Sequence, residues 1–468
     1  MYSRLVYPRN DWDENNINKI DILNLIKKHR GVIAPRLKKN MRYYEGMHKI
    51  STRKRDSEIN NKIVCNHAKD ITDTANGYFL ANALTYTSKD ENMDVDRLTD
   101  AFDNADVDEI DQDNGLNMSI FGTAFEYVYA REGESEPTSK SIVPTNAFIV
   151  VDNSIEEREL FGVYYYHQKD DSKPKRYKYI TNVMTQNYIY SFEIFEGEDN
   201  GPVTEADRQP HYFQEVPLIE YQNNKLCIGD FEQQISLIDA YDYLMSDRIN
   251  DKEQFLDALL VLYGSILADD EEGTSEALKT LKTDKLLELP ESARAEYLTR
   301  TFDETGVEVL RKAIKEDIYS FSHVPNLTDE NFVGNSSGVA MEFKLLGLEM
   351  ITKTKTRYYI KGLKKRFKLY CNFLGMKNIS INPAAITVNF TRGLPKNLLE
   401  ISQMISNLEG FVSKETLLAQ IPFVEDPQGE VDAVKKENEE SLKKQQEMFK
   451  RNANDAPGVE DEEDVDNE

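Results

Sequence analysis

Two long stretches of helical apolar spacing, joined by a short mixed insertion, constrain this chain more than any other feature. The first begins near Asp230. Phe231, Ile235, Ile238, Met245 and Ile249 form one stripe, with Asp239, Asp242, Asp247, Asp251 and Asp257 on or beside the other faces. Continued to Asp257, it predicts a helix of about 40 Å at ~1.5 Å per residue. The second runs from about residue 304 to 323. It stops before Pro325, because the residue ahead of a proline is driven out of the helical region. Between them, residues 258–264, a short helix near 276–281 and strand-like runs at 285–289 and 296–302 predict a compact α/β insertion with an acidic loop, Asp269, Asp270, Glu271 and Glu272.

A polar loop, residues 326–337, follows and leads into a third long helix. Its stripe is Ile360, Leu363, Phe367, Tyr370 and Leu374. Lys353, Lys355, Arg357, Lys361, Lys364, Lys365, Arg366 and Lys368 read as its outer faces and form the strongest basic cluster in the chain. Such a cluster suits DNA, a solvated face or an interface with acidic neighbours, and the acids around it favour subunit contacts. Upstream, helical spacing covers residues 21–45, a stretch through Tyr78, Phe79 and Leu80, and residues 95–120. From Gly122 the period changes. Short aromatic and β-branched runs at 123–129, 147–151, 161–166, 177–180, 188–192 and 216–221 predict an antiparallel β region with an aromatic core. A strand is expected at 385–390. Leu398, Ile401, Ile405 and Leu408 then mark a helix, Ser413 is placed to cap the next one, and residues 430–450 are charged and helical in propensity. From Asp455 to Glu468 there are acids and no base, a tail that cannot bury enough apolar surface to order itself.

The fold class is therefore α+β, in several sub-domains, as 468 residues require. A net charge of -26 excludes a general nucleic-acid binder, because phosphate neutralisation needs Lys and Arg. It does not exclude a channel through which DNA must slide without sticking. No apolar run approaches the ~20 residues of a membrane helix, and no secretory signal is expected from the N-terminus. Cys65, Cys227 and Cys371 are widely spaced and read as free thiols. Enzyme chemistry finds little support. There is no phosphate-cradling glycine loop, and His29, His48, His67, His167, His211 and His323 lack metal-ligand spacing. Residues 334–338 fit the nucleophile-elbow pattern G-x-S-x-G, but no histidine follows Ser336 to complete a triad in that order. The loop's serines read instead as helix caps. No cofactor is expected.

The segments Tyr43-Tyr-Glu-Gly46, 120–129, 216–224, 230–234, 335–349 and 413–422 (with Asp426 and Glu430) occur in an order that resembles the portal family of tailed bacteriophages, of the siphovirus type. The resemblance covers about residues 21–440. It implies a portal-type subunit with long stem and wing helices, a β-rich wing and a small clip, assembling into a ring of twelve. The implied map is wing (1–229), first stem helix (230–257), clip (258–303), second stem helix (304–324), tunnel loop (325–337), wing helix and strand (338–394), crown (395–450) and acidic tail (451–468). It implies a non-enzymatic head-tail connector at the capsid vertex of the virion, assembled in the host cytoplasm, through which double-stranded DNA is packaged and ejected. Implied partners are the terminase large subunit, a head-completion or adaptor protein, and the major capsid and scaffolding proteins, with no membrane. Asn326, Thr328, Asp329, Glu330, Asn331 and Phe332 would meet DNA in the tunnel loop, and Asp269, Asp270, Glu271 and Glu272 would meet partners at the clip. The competing readings are another ring-forming connector or baseplate protein, and a carboxylate-dependent hydrolase.

Overall fold

The computed structural model describes residues 4–55, 59–90, 93, 95–131, 133, 134, 136–169, 176–197, 201–256, 259–263, 275, 279, 294–298, 303–327, 338–392, 398–421, 424 and 427–454. They divide into two units, residues 1–334 with 343–393, and residues 335–342 with 394–468.

The first unit opens with strand β1 (Leu5–Tyr7) and helices α1 (Lys19–Lys28) and α2 (Ala34–Tyr44). The continuous helix expected over 21–45 is interrupted by a π-helical turn, His29–Ile33, just ahead of Pro35. Proline has no N–H for the ladder, so a fresh helix starts there. Helix α3 (His67–Leu80) is capped by Asn66, which accepts from the Lys69 N–H. Strand β2 (Thr85–Ser88) follows. The single helix expected over 95–120 is two, α4 (Asp96–Asn104) and α5 (Val107–Phe121). Asp106 breaks them with a left-handed φ of 52°, a conformation aspartate tolerates better than most residues.

Helix α5 turns directly into the sheets. Gly122 has φ 83°, and a Cβ there would lie 2.0 Å from the Cys227 carbonyl oxygen, so only glycine fits the junction. The strands are β3 (Thr123–Ala130), β4 (Pro137–Ile142), β5 (Ala147–Asp152), β6 (Glu159–Lys169), β7 (Tyr177–Met184), β8 (Tyr188–Phe195), β9 (Arg208–Pro210) and β10 (Leu218–Gln222). One sheet has the order β1-β5-β6-β7-β8-β9 and the other β10-β3-β4. All pairs are antiparallel, as expected, except β1 with β5. Alternate residues of the larger sheet, among them Phe148, Phe161, Val163, Tyr165, Tyr179, Val183 and Tyr190, bury against Ile22, Leu25, Ile26 and Leu37. Each such side chain contributes roughly 1.5–3 kcal/mol of transfer free energy. The tyrosines are thus mostly core, as the sequence suggests.

After a 3-10 turn, α6 (Ile235–Leu256) leads to β11 (Leu259–Tyr263), which pairs antiparallel with β12 (Arg294–Leu298). Helix α7 (Glu304–Ser322) is capped by Asp303 through the Gly306 N–H. Helix α8 (Gly338–Gly375) is the longest in the chain. Its buried stripe is Tyr359, Leu363, Phe367, Tyr370 and Leu374, packed on Phe79, Leu98, Phe102, Val128 and Tyr221. Gly362 permits the close approach, since a Cβ would lie 2.4 Å from the Tyr221 ring. Strand β13 (Ile386–Asn389) pairs with β2. The second unit contains α9 (Leu398–Leu408), α10 (Lys414–Leu418) and α11 (Pro427–Asn454). Ser413 caps α10 by accepting from the Thr416 N–H, as expected. The acidic tail 455–468 lies outside the described residues.

Candidate functional site

Helices α6 and α7 run antiparallel, since Tyr241, Arg248 and Lys252 meet Arg311, Glu308 with Glu304, and Glu304 in reverse order. Arg248 bridges Glu304 and, at 3.0 Å, Glu308. Arg311 holds Glu308 at 2.7 Å and donates to the Tyr241 hydroxyl at 2.9 Å. Hydrogen bonds from Arg311 and Arg248 hold the Glu308 carboxyl down at about 2, so it stays ionised at all ordinary pH. At the base of the pair, Tyr319 donates to Asp70 of α3 at 2.6 Å.

A second face of α6 is polar and fully buried. Asp242, Ser246 and Asn250 recur every fourth residue and accept from the backbone N–H groups of Cys65, Ile63 and Asn61 at 2.8, 3.0 and 2.7 Å. Three side chains of a helix thus replace the edge of a sheet, satisfying every second amide of an extended strap. His48 completes the clamp. Its Nδ1 lies 2.6 Å from Asp242 and its Nε2 donates to the Tyr43 carbonyl at 3.0 Å. A carboxylate and a carbonyl at its two ring nitrogens favour the protonated ring. Burial lowers the His48 pKa, but the Asp242 bonds outweigh it and raise the group above its ordinary 6.5. His29 is the opposite case. Burial, then Lys38, push it down to about 4, and it is neutral beside the Tyr165 hydroxyl.

Three of the acids on the first long helix are engaged within the subunit, and Asp257 lies outside the described residues. Asp239 accepts from Tyr43 at 2.8 Å, Asp242 is clamped, and Asp247 pairs with Arg53 at 2.8 Å. The basic cluster of α8 is also not an outer face throughout, which corrects the sequence reading. Arg366 is fully buried and binds Asp111 at 2.6 Å and Glu126 at 2.9 Å through Nε. Burial opposes its charge, but Asp111 and Glu126 hold it well above its usual value. Tyr221 and Tyr359 donate to the same two carboxylates. Lys355, also buried, joins Asp230 and Ser119. Lys365 joins Glu159, whose other partner is Arg4. Lys368 pairs with Glu215 at 2.9 Å and Lys353 with Glu349 at 3.6 Å. The acids that seemed to favour subunit contacts are, for these residues, the same subunit's own counter-ions. Arg357, Lys361 and Lys364 remain exposed.

Of the loop residues expected to meet DNA, Asn326 is half-buried just beyond α7. Thr328, Asp329, Glu330, Asn331 and Phe332 lie outside the described residues, as do Asp269, Asp270, Glu271, Glu272 and Ser336. Cys65, Cys227 and Cys371 are free thiols. Among the described residues no group of His, Cys, Asp and Glu is arranged to hold a metal, and no helix is long and apolar enough to cross a membrane. The Arg366 network was readable in principle. Arg366 falls three residues after Leu363 and four before Tyr370, on the apolar stripe itself, and Glu126 interrupts an otherwise apolar strand.

Two sheets carried on helices, with a long antiparallel helix pair projecting a small strand pair, describe a structural scaffold with no assembled catalytic group among these residues. Residues 23–444 match the model of the phage portal protein family, SPP1 Gp6-like, and the chain belongs to that family. The family is one of structural components of the phage particle. Among relatives, the chain is 24% identical over 429 residues to the portal protein of Bacillus phage SPP1, covering 86% of this chain and 83% of that one. It is 26% identical over 322 residues to the portal protein of Clostridium phage phiCD119, covering 64% of this chain and 66% of that one. A solved chain from the neck of the native GTA particle, computed with C12 symmetry, is 8% identical with a TM-score of 0.47, over 76% of this chain and 89% of that one.

Proposed function

We propose that copies of this chain, twelve in number, close into a ring at the capsid vertex whose channel passes double-stranded DNA during packaging and ejection. Membership of the portal family supports this reading. The observation that carries it is the α6–α7 pair, with β11–β12 at one end and a buried polar clamp along the middle of α6. In this reading α6 and α7 are the stem, the β11–β12 segment is the clip that docks the terminase large subunit and the adaptor, and the sheets with α1–α5 and α8 are the wing, which meets capsid and scaffold. Residues 325–337 are the tunnel loop and residues 395–450 the crown. Clip contacts fall on Asp269, Asp270, Glu271 and Glu272, and DNA contacts on Asn326, Thr328, Asp329, Glu330, Asn331 and Phe332. Assembly takes place in the host cytoplasm.

The stem must hold its shape while DNA moves past it. A clamp of buried hydrogen bonds and ion pairs gives it that rigidity, because each requires one geometry. The ATP-driven step belongs to the motor, and the absence of a phosphate-cradling loop from the sequence agrees with that division. A packaging assay tests the reading. Asp329→Lys with Glu330→Lys adds cations to the loop in every subunit. Each new phosphate contact steepens the salt dependence of binding. Packaging is then expected to stall at low salt and recover at high salt, while rings assemble normally. Wild-type filling at every ionic strength would place the loop away from DNA.

A further inference from the structure

The exposed remainder of α8 is a ridge. Arg357, Lys361, Lys364 and Lys368 are spaced four, three and four residues apart and all face solvent. They span about 16 Å at ~1.5 Å per residue. They lie on the far side of the helix from Tyr359, Leu363, Phe367 and Tyr370, which are buried. Among the described residues no carboxylate comes within ion-pairing distance of Arg357, Lys361 or Lys364. Helix α4 is built the same way with the opposite sign. Leu98, Ala101 and Phe102 are buried, and Asp96, Asp100 and Asp103 are exposed on the other side. The two helices pack through their buried faces, with Phe102 against Phe367 and Tyr370 at centroid distances of 6.1 and 4.9 Å. Their charged faces therefore point away from one another and cannot neutralise each other within one subunit.

We propose that the basic ridge of α8 docks on the acidic face of α4 and α5 of a second copy of this chain. This rests on the ring reading and specifies its contact. Opposite faces of one subunit that complement each other make a head-to-tail interface, the kind that closes into rings. The acidic side is also shaped to receive cationic side chains. Asp103, Asp106, Asp108 and Glu109 line a cavity of 540 Å³ beside Tyr86 and Phe102. Tyr86 and Phe102 give the cavity an apolar wall along which the stem of a cationic side chain can lie while its tip meets the acids. The crowding of the acids is visible in Asp108, whose carboxyl is held above its usual range by burial and then by Asp103. A cation from outside relieves that repulsion. Double-stranded DNA is the less favoured occupant, because the ridge is narrow and the chain carries a net charge of -26.

Charge exchange tests this. The full-length Lys361→Glu, Lys364→Glu variant is expected to need at least about tenfold more protein for half-assembly, read by light scattering, with unchanged circular dichroism. Asp100→Lys, Asp103→Lys is expected to do the same. All four substitutions in one chain restore attraction across every interface and are expected to recover rings. The pair Lys27→Glu, Lys28→Glu carries the same charge change on α1 and is expected to assemble normally. If wild-type rings form and the ridge variant assembles equally well, the proposal fails while the ring reading stands. If that variant instead loses salt-sensitive binding of double-stranded DNA with rings intact, the ridge is a DNA face and the proposal is overturned. Failure of the fourfold variant to recover rings also overturns it. A wild type that stays monomeric at all concentrations removes both claims together.

Discussion

Arg366 sits where an apolar residue would be expected and is kept charged by two acids, Asp111 and Glu126. Burying a charge is costly unless it is paired and hydrogen-bonded. Removing one member strands the others, so Arg366→Met is expected to lower unfolding stability by about 3–5 kcal/mol in urea titration. Lys27→Met, exposed on α1 and outside the ridge, is expected to shift it by less than about 0.5 kcal/mol. Equal effects would show that the network contributes nothing specific. The two buried histidines carry opposite pH signatures. His29 has a folded pKa of about 4 against an ordinary 6.5. Its unfolded form binds the proton first, so its contribution is present above 6.5 and is lost as pH falls towards 4, by up to about 3 kcal/mol. His48 is raised, so its contribution is full below 6.5 and is lost as pH rises through its folded pKa. Proton NMR titration should find the His29 ring neutral at pH 5.5 and the His48 ring charged at pH 6.5. Two rings titrating together near 6.5 would contradict both assignments.

The elements differ in how firmly they are held. The strap 61–65 depends on buried acceptors of α6, whereas the Arg248 bridges are partly exposed and screened. Ser246→Ala leaves the Ile63 amide without its partner, at a cost of about 1–3 kcal/mol. Arg248→Ala is expected to cost under about 1 kcal/mol. Hydrogen exchange at Ile63 should accelerate in the first variant and not in the second; the reverse order would mean that α7, not the strap, secures α6. The same contrast explains what was legible in the sequence. Apolar periodicity located most helices and strands, because burial of one face is what that pattern records. It could not locate the breaks at His29–Ile33 and Asp106, which are single backbone choices inside a continuous pattern. Nor did it find the polar stripe Asp242, Ser246 and Asn250, since buried and solvated polar residues look alike until their partners, nearly 200 residues away, are known. The basic cluster of α8 misled for the same reason: Lys355 and Arg366 read as surface, although their counter-ions lie in distant strands and loops.

At the scale of the whole molecule, the order of elements was legible early because it depends on spacing along the chain, and the family match over residues 23–444 agrees with it. The loops expected to touch DNA and partners were named from resemblance alone, and periodicity is silent on them because they have none. The central claim is a closed ring with a channel. Negative-stain imaging of the purified full-length protein, paired with a mass measurement across a range of salt, tests it most directly. The account predicts annular particles with a central hole and a mass near 650 kDa, twelve times 53.9 kDa. A single species of 53.9 kDa at every salt and protein concentration would contradict it.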